Sequence, residues 1–414
     1  MMKLRPNNEK GAVSLFVVIF AALLIITIAT AFIRIMLQDQ MQATANDLSK
    51  SALDSANAGV EDAKRALVEY YRLEPAAPDP LAGSIKPDCS TDAGNANTRC
   101  LTLRRSLSQG TITPENDGWT DGCQATIIDG IASLSGGTDP NKGEVTVKTN
   151  GEDSNLNQAY TCVKVQMNPQ DYIGALTPNT SRLLQLKSLN NDPFSKIKIQ
   201  WYTKQIGQAD LGLDSEFPYK LTDAWPTNRP AVIRAQLLQY NAESGFKLSD
   251  FDSDNKFNST LFLLPSGAGS NVMNFADDIR QQNTSDAAKN VFCKLENPRY
   301  ACEATITLPD VGSPKRAAYL KLSQFYGSVS TDFRITMYND ADKPVRFSDV
   351  QPAVDSTGRA NDLFRRVRSR IELGASSIPN AEAAVDITKS LCKDFAVTND
   401  TALKTNDACP ALPQ

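Results

Sequence analysis

The hydrophobic pattern begins as an unbroken run. From Ala12 to Ile33 there are 22 residues without a charge, and only Ser14, Thr27 and Thr30 are polar. As a helix this run is long enough to cross a hydrocarbon core of roughly 30 Å. Beyond it the apolar positions become periodic: Leu37, Met41, Thr44 or Ala45, Leu48, Ala52, Ala56, Val60, Ala63, Leu67 and Tyr70 recur every three or four residues. That spacing predicts one buried stripe on an amphipathic helix. Asp39, Asp47, Lys50, Asp54, Asp62, Lys64 and Arg65 fall on the other face and are expected to be solvated. No proline separates Pro6 from Pro75, so Ala12 to Leu73 reads as one helix, roughly 93 Å long. It divides into a transmembrane part, 12–36, and a stalk, 37–75.

The run Glu74-Pro75-Ala76-Ala77-Pro78-Asp79-Pro80 cannot continue a helix and marks the start of an outer region. Residues 81–158 are rich in Gly, Asn, Asp, Ser and Thr and hold a single aromatic residue, Trp119, too little to build a core without cross-links. Residues 76–190 are therefore expected to be a loop-rich, disulfide-bearing segment. From Tyr160 onward the pattern turns to alternation, clearest in Lys196 to Trp201 and Phe333 to Tyr338, as half-buried antiparallel strands require. Comparable runs cover Val232 to Tyr240, Ser259 to Leu264, Ala304 to Leu308, Tyr319 to Phe325 and Phe364 to Leu373. Turns are expected at Asn190-Asn191-Asp192-Pro193, Asn339-Asp340-Ala341-Asp342 and Ser356-Thr357-Gly358, and a short helix near Asn274 to Ala288. The predicted fold class is α+β: a long N-terminal transmembrane and stalk helix, then a mainly antiparallel, sandwich-like extracellular head over 191–414.

Charge sets the orientation. Lys3, Arg5 and Lys10 precede the apolar run with only Glu9 opposing, so the positive-inside rule leaves residues 1–11 in the cytoplasm and the chain after Arg34 outside. All eight cysteines lie on that oxidising side, and loop length favours the pairs Cys89 with Cys100, Cys123 with Cys162, Cys293 with Cys302 and Cys392 with Cys409. Reduced, buried thiols are the alternative.

The 414 residues contain no histidine, which excludes serine triads, Cys/His dyads and His-ligated metals. The remaining pattern holds no catalytic constellation, and no enzymatic activity or resident cofactor is expected. A net charge of −4 argues against a protein devoted to nucleic acid. Asp250, Asp252 and Asp254 would offer hard oxygen ligands to calcium, but Asn255 and Leu261 replace the glycine and glutamate of an EF-hand, so the other reading is a polar loop. Arg366, Arg368 and Arg370 alternate with Val367, Ser369 and Ile371, which puts three guanidinium groups on one face of a strand. They could contact phosphates or DNA. Flanking Glu372 and the acidic remainder of the chain instead favour a solvated, ion-paired face. Asp47-Leu48-Ser49-Lys50-Ser51 matches a metal-dependent adhesion motif but lies within the stalk helix, where the match is coincidental. The Asn-x-Ser/Thr triplets at Asn179, Asn258, Asn283 and Asn399 are expected by chance.

A basic leader ending in Lys10-Gly11, then Ala12-Val13-Ser14-Leu15-Phe16 and an apolar helix running into an amphipathic one, resembles the type IV pilins and pseudopilins. The stretch from Gln38-Asp39-Gln40 through Ala56-Asn57-Ala58-Gly59-Val60-Glu61-Asp62-Ala63 is similar to the extended helix of PilX-type minor pilins. The resemblance covers residues 1–73. It implies cleavage between Gly11 and Ala12 by a prepilin peptidase, methylation of Ala12, and packing of Val13, Phe16, Phe20 and Leu24 first in membrane lipid and then among other pilin subunits. The implied partners are those subunits, the peptidase and the assembly machinery of the inner or cytoplasmic membrane. Major pilins have glutamate at the fifth mature position, where this chain has Phe16, a departure that suits a minor or tip subunit better than the repeating shaft. A surface or DNA adhesin carried by the pilus, meeting a host surface or DNA, is the second reading. A bitopic envelope protein unrelated to pili is the third, whether its anchor stays uncleaved or a signal peptide is cut after Ala29-Thr30-Ala31.

Overall fold

The computed structural model describes residues 10–73, 102–103, 106–107, 118–120, 122–132, 138–139, 143–147, 157–178, 180–202, 211–213, 225–226, 228–241, 258–274, 288–294, 300–308, 316–327, 329–348 and 350–372. The proline-rich break, the Asp250 cluster, Cys89, Cys100, Cys392, Cys409, Asn179, Asn283 and Asn399 lie outside these residues, as does most of the expected helix at 274–288. In chain order the elements are α1 (Lys10–Leu73), α2 (Ala125–Ala132), β1 (Thr138–Asp139), β2 (Glu144–Thr146), β3 (Ala159–Gln166), β4 (Asp171–Leu176), β5 (Ser181–Leu186), β6 (Lys196–Tyr202), β7 (Val232–Asn241) and β8 (Asn258–Ser266). They continue with β9 (Val272–Asn274), β10 (Ala288–Phe292), β11 (Cys302–Thr307), β12 (Arg316–Phe325), β13 (Thr331–Tyr338), β14 (Pro344–Val345), β15 (Ala353–Ala360) and β16 (Leu363–Arg370). One long apolar N-terminal helix is thus followed by mainly antiparallel sheets. Within 81–158 the described residues hold the short helix α2 and the short strands β1 and β2, and the longer strands β3, β4 and β5 follow from residue 159, where the alternation begins.

The chain forms two compact units that interleave along the sequence. The first takes its described residues from 1–66, 121–164 and 355–368. Its sheet runs β1-β2-β3-β15-β16. α1 lays its stripe on this sheet: Ala52, Ser55, Ala56 and Ala63 are wholly buried. Small side chains are required there because the backbones nearly touch. A Cβ on Gly59 would meet Ser356 Oγ at 2.3 Å, and one on Gly358 would meet the Ala56 nitrogen at 2.1 Å.

Two expectations fail here for one reason. Ser356-Thr357-Gly358 is not a turn but the middle of β15, where glycine serves the close approach of α1. Asp62 is not solvated but buried, because its flank of the helix also faces the sheet, where its Oδ2 accepts a 2.8 Å hydrogen bond from the Tyr160 hydroxyl.

The second unit takes its described residues from 67–120, 165–354 and 369–414, and they form a sandwich. One sheet runs β10-β8-β7-β12-β5; the other runs β14-β13-β6-β11-β9, with β4 also on β13. Their inner faces share one core, in which Ile197, Ile199 and Trp201 of β6 meet Ile233, Ala235 and Leu237 of β7, Leu320 of β12 and Phe333 of β13. Strict alternation along β6, with Lys196, Lys198 and Gln200 half-buried between the core residues, is what made this strand legible in the sequence. Trp201, fully buried, donates Nε1–H to the Ala231 carbonyl at 2.9 Å, so its one polar group is satisfied. Parallel pairs occur at the edges, β10 on β8 and β9 on β11. The expected turns at Asn190-Asn191 and Asn339 are present, the first with both asparagines at positive φ and the second closed by Asn339 Oδ1, which accepts from the Ala341 and Lys343 amides.

Candidate functional site

α1 has two halves with opposite surroundings. Between Leu15 and Leu37 its large apolar side chains are exposed on every side; Phe16 is 70% exposed, Phe20 74% and Leu24 56%. Those polar residues of the run whose side chains are described have no need of water. Thr27 Oγ1 donates to the Leu24 carbonyl at 2.9 Å, and Thr30 Oγ1 to the Ile26 carbonyl at 2.7 Å. This internal pairing is what an apolar solvent demands of a hydroxyl. By length and composition the helix is sufficient to cross a membrane, and none of its most apolar stretch is buried in the protein. Gly11, Ala12 and Val13 belong to its first turns by backbone, their side chains falling outside the described set.

Between Leu48 and Ala66 the same helix is covered by the first unit's sheet. Ser49 accepts a hydrogen bond from Arg365 Nε of β16 at 2.8 Å, so the sequence matching an adhesion motif serves to hold the stalk. A few turns on, the buried Asp62–Tyr160 bond locks the helix against β3, and Arg65 reaches Asp62 from the solvent side at 3.4 Å. The stalk is fixed by backbone contact and by one buried polar pair. The sequence signal for that pair was the position of Asp62, three residues after Gly59 and beside Ala63 on the helical surface.

The arginine strip is ion-paired. Arg366 makes two 2.6 Å hydrogen bonds to the carboxylate of buried Asp355, and these hold its pKa above the ordinary guanidinium value. Arg370 pairs with Asp171, which also holds Arg334 at 3.2 Å. Glu372, expected to flank the strip, pairs with Arg182 and accepts from the Tyr172 hydroxyl. Arg368 is exposed and also has a partner. The role of Asp171 had no local signal, since a lone aspartate opening a strand looks like any turn residue.

Two of the expected disulfides are present, Cys123–Cys162 in the first unit and Cys293–Cys302 in the second. The second joins the end of β10 to the start of β11, and so ties one sheet of the sandwich to the other. Among the described residues no group of three or more acidic or cysteine side chains could hold a metal ion.

No family model and no curated protein matches the chain. A solved structure described as the complete structure of manganese lipoxygenase of Gaeumannomyces graminis and partial structure of zonadhesin of Komagataella pastoris aligns at 10% identity over 50% of this chain and 47% of that one. Its TM-score is 0.09, which establishes no likeness of fold.

Proposed function

We propose that the chain is a minor or tip subunit of a type IV pilus or related filament, anchored in the membrane through the apolar half of α1 and presenting its β-rich units outside. The observation that carries the reading is the continuity of α1. An all-round apolar half with no cover passes without a break into a half fixed on a folded sheet, so whatever surrounds the first half is rigidly coupled to the second. Before assembly lipid would cover Phe16, Phe20 and Leu24. Within a filament the same surface would exchange lipid for neighbouring helices, an exchange driven by packing rather than by escape from water. The leader Lys10-Gly11 before Ala12 supports processing by a prepilin peptidase, and Phe16 at the fifth mature position supports a place other than the repeating shaft. Capture of DNA through Arg366 and Arg370 has less support, because carboxylates of the chain itself already neutralise them.

Mass spectrometry of the N-terminal peptide from membrane and sheared-surface fractions tests this reading. A methylated Ala12 is expected. Phe32 as the first residue would indicate an ordinary secreted protein, and an intact Met1 a bitopic anchor; either result would sink the filament assignment.

A further inference from the structure

At one end of the sandwich, several buried polar groups have no hydrogen-bond partner among the described residues. Ile233, Ala235 and Leu237 of β7 face the core, and the next inward position is Gln239, 0% exposed, with neither its Oε1 nor its Nε2 partnered. Its neighbour across the β7–β12 pair is Ala318, too small and too apolar to answer it. Ser259 of β8 lies opposite Leu237, diagonal to Gln239 and on the same inner face as Leu261 and Leu263; it is 1% exposed and its Oγ is also unpaired. Two more hydroxyls at this end lack a partner among the described residues: that of buried Ser188, which continues the inward positions of β5 and bridges Phe347, and that of half-buried Ser195, two residues before inward-facing Ile197. β5, β7, β11 and β13 finish at this end, and β6, β8 and β12 start there. The Ser195 amide accordingly donates to the Tyr338 carbonyl, and its own carbonyl accepts from the Leu308 amide.

Buried groups of this kind are costly when unmet, and native interiors meet them. We propose that this end of the sandwich is an internal binding site for a small neutral hydroxyl-bearing guest, the chemistry shared by ordered water and a sugar hydroxyl. All four side chains are uncharged, so the set offers neither the carboxylates a cation needs nor the guanidinium or ammonium groups that favour an anion. It offers both acceptors and donors, an amide oxygen, an amide nitrogen and three hydroxyls, and a hydroxyl guest is the partner that donates and accepts in the same place. A water needs two to four such partners, a number that Gln239 and Ser259 alone begin to supply. The inference is independent of the filament reading.

The test uses the full chain in detergent micelles. Gln239→Met keeps the length of the side chain and removes its hydrogen bonds. If a guest answers Gln239, Tm falls by about 2–4 °C; Ser259→Ala lowers it in the same direction. In the wild type, the Gln239 side-chain amide then shows a long-lived water contact by NMR, or shifts on titration with millimolar glucose, galactose or N-acetylglucosamine. The first result names water as the guest and the second a sugar, and each signal is lost in Gln239→Met. A rise in Tm for Gln239→Met would overturn the proposal, since removing a truly unmet group is stabilising. A wild-type amide that responds to neither water nor sugar would overturn it as well.

Discussion

Gly358 of β15 lies against the backbone of Ala56 in α1: a Cβ on the glycine would stand 2.1 Å from the Ala56 nitrogen and 2.4 Å from the Ala52 carbonyl oxygen. Real Cβ atoms do not approach main-chain atoms so closely, and neither backbone can rotate away as a side chain would. The stalk and the sheet are therefore joined at main-chain distance, with the wholly buried Ala52, Ser55 and Ala56 as the lining that permits it.

Gly358→Ala is accordingly expected to lower the stability of the first unit by about 1–3 kcal/mol, the range for overpacking a tight contact. Gly59→Ala should cost less, because its nearest obstacle is the Ser356 hydroxyl, which can change rotamer. Denaturant unfolding of both variants in micelles checks the order. Equal effects would mean that α1 shifts bodily and that the contact is not a fixed joint.

Tyr160→Phe removes the donor to buried Asp62 and should destabilise by about 1–3 kcal/mol, the cost of leaving a buried polar group short of a partner. In a double-mutant cycle with Asp62→Leu, the second substitution should cost much less once the first is made. Additive effects would show that the 2.8 Å bond contributes nothing beyond its parts.

Tyr172 should make the second unit sensitive to alkali. Burial, and then the negative charge of Glu372, push its phenol up to about 12 from the usual 10.0. The folded state thus keeps a proton that the unfolded state releases. The associated stability is complete below pH 10 and is lost as pH rises towards 12, by about 2–3 kcal/mol in all. Tyr172→Phe should flatten stability over that window and remove one late-titrating phenol from the ultraviolet spectrum. Glu372→Gln should bring the phenol down towards its ordinary value.

Reduction should loosen the sandwich. Cys293 and Cys302 have a sequence separation of 9 and link the two sheets. The chain-entropy estimate for so short a loop is about 2–3 kcal/mol. The urea midpoint of the wild type should fall on adding reductant, whereas that of a Cys293→Ser/Cys302→Ser variant, already lower, should no longer respond through this pair.

α1 and the strands β6, β7, β8, β11, β12, β13 and β16 were legible in the sequence, because each rests on local periodicity. An uncharged run, a stripe every three or four residues, and alternation at Lys196 to Trp201 and Phe333 to Tyr338 each express which side of an element leaves water, and that is written in neighbouring residues. The pairing of Cys123 with Cys162 and of Cys293 with Cys302 was legible for a related reason, short loops being the least costly to close. The other contacts join residues far apart in the chain. Asp62 looked solvated until Tyr160, 98 positions away, was placed on it. Ser356-Thr357-Gly358 looked like a turn until α1 came to rest on it, and the arginine strip read as an ion-paired face without any sign that Asp355 and Asp171 are the carboxylates that hold Arg366 and Arg370. Burial and charge pairing are properties of the assembled surface, and a local pattern records only half of each contact.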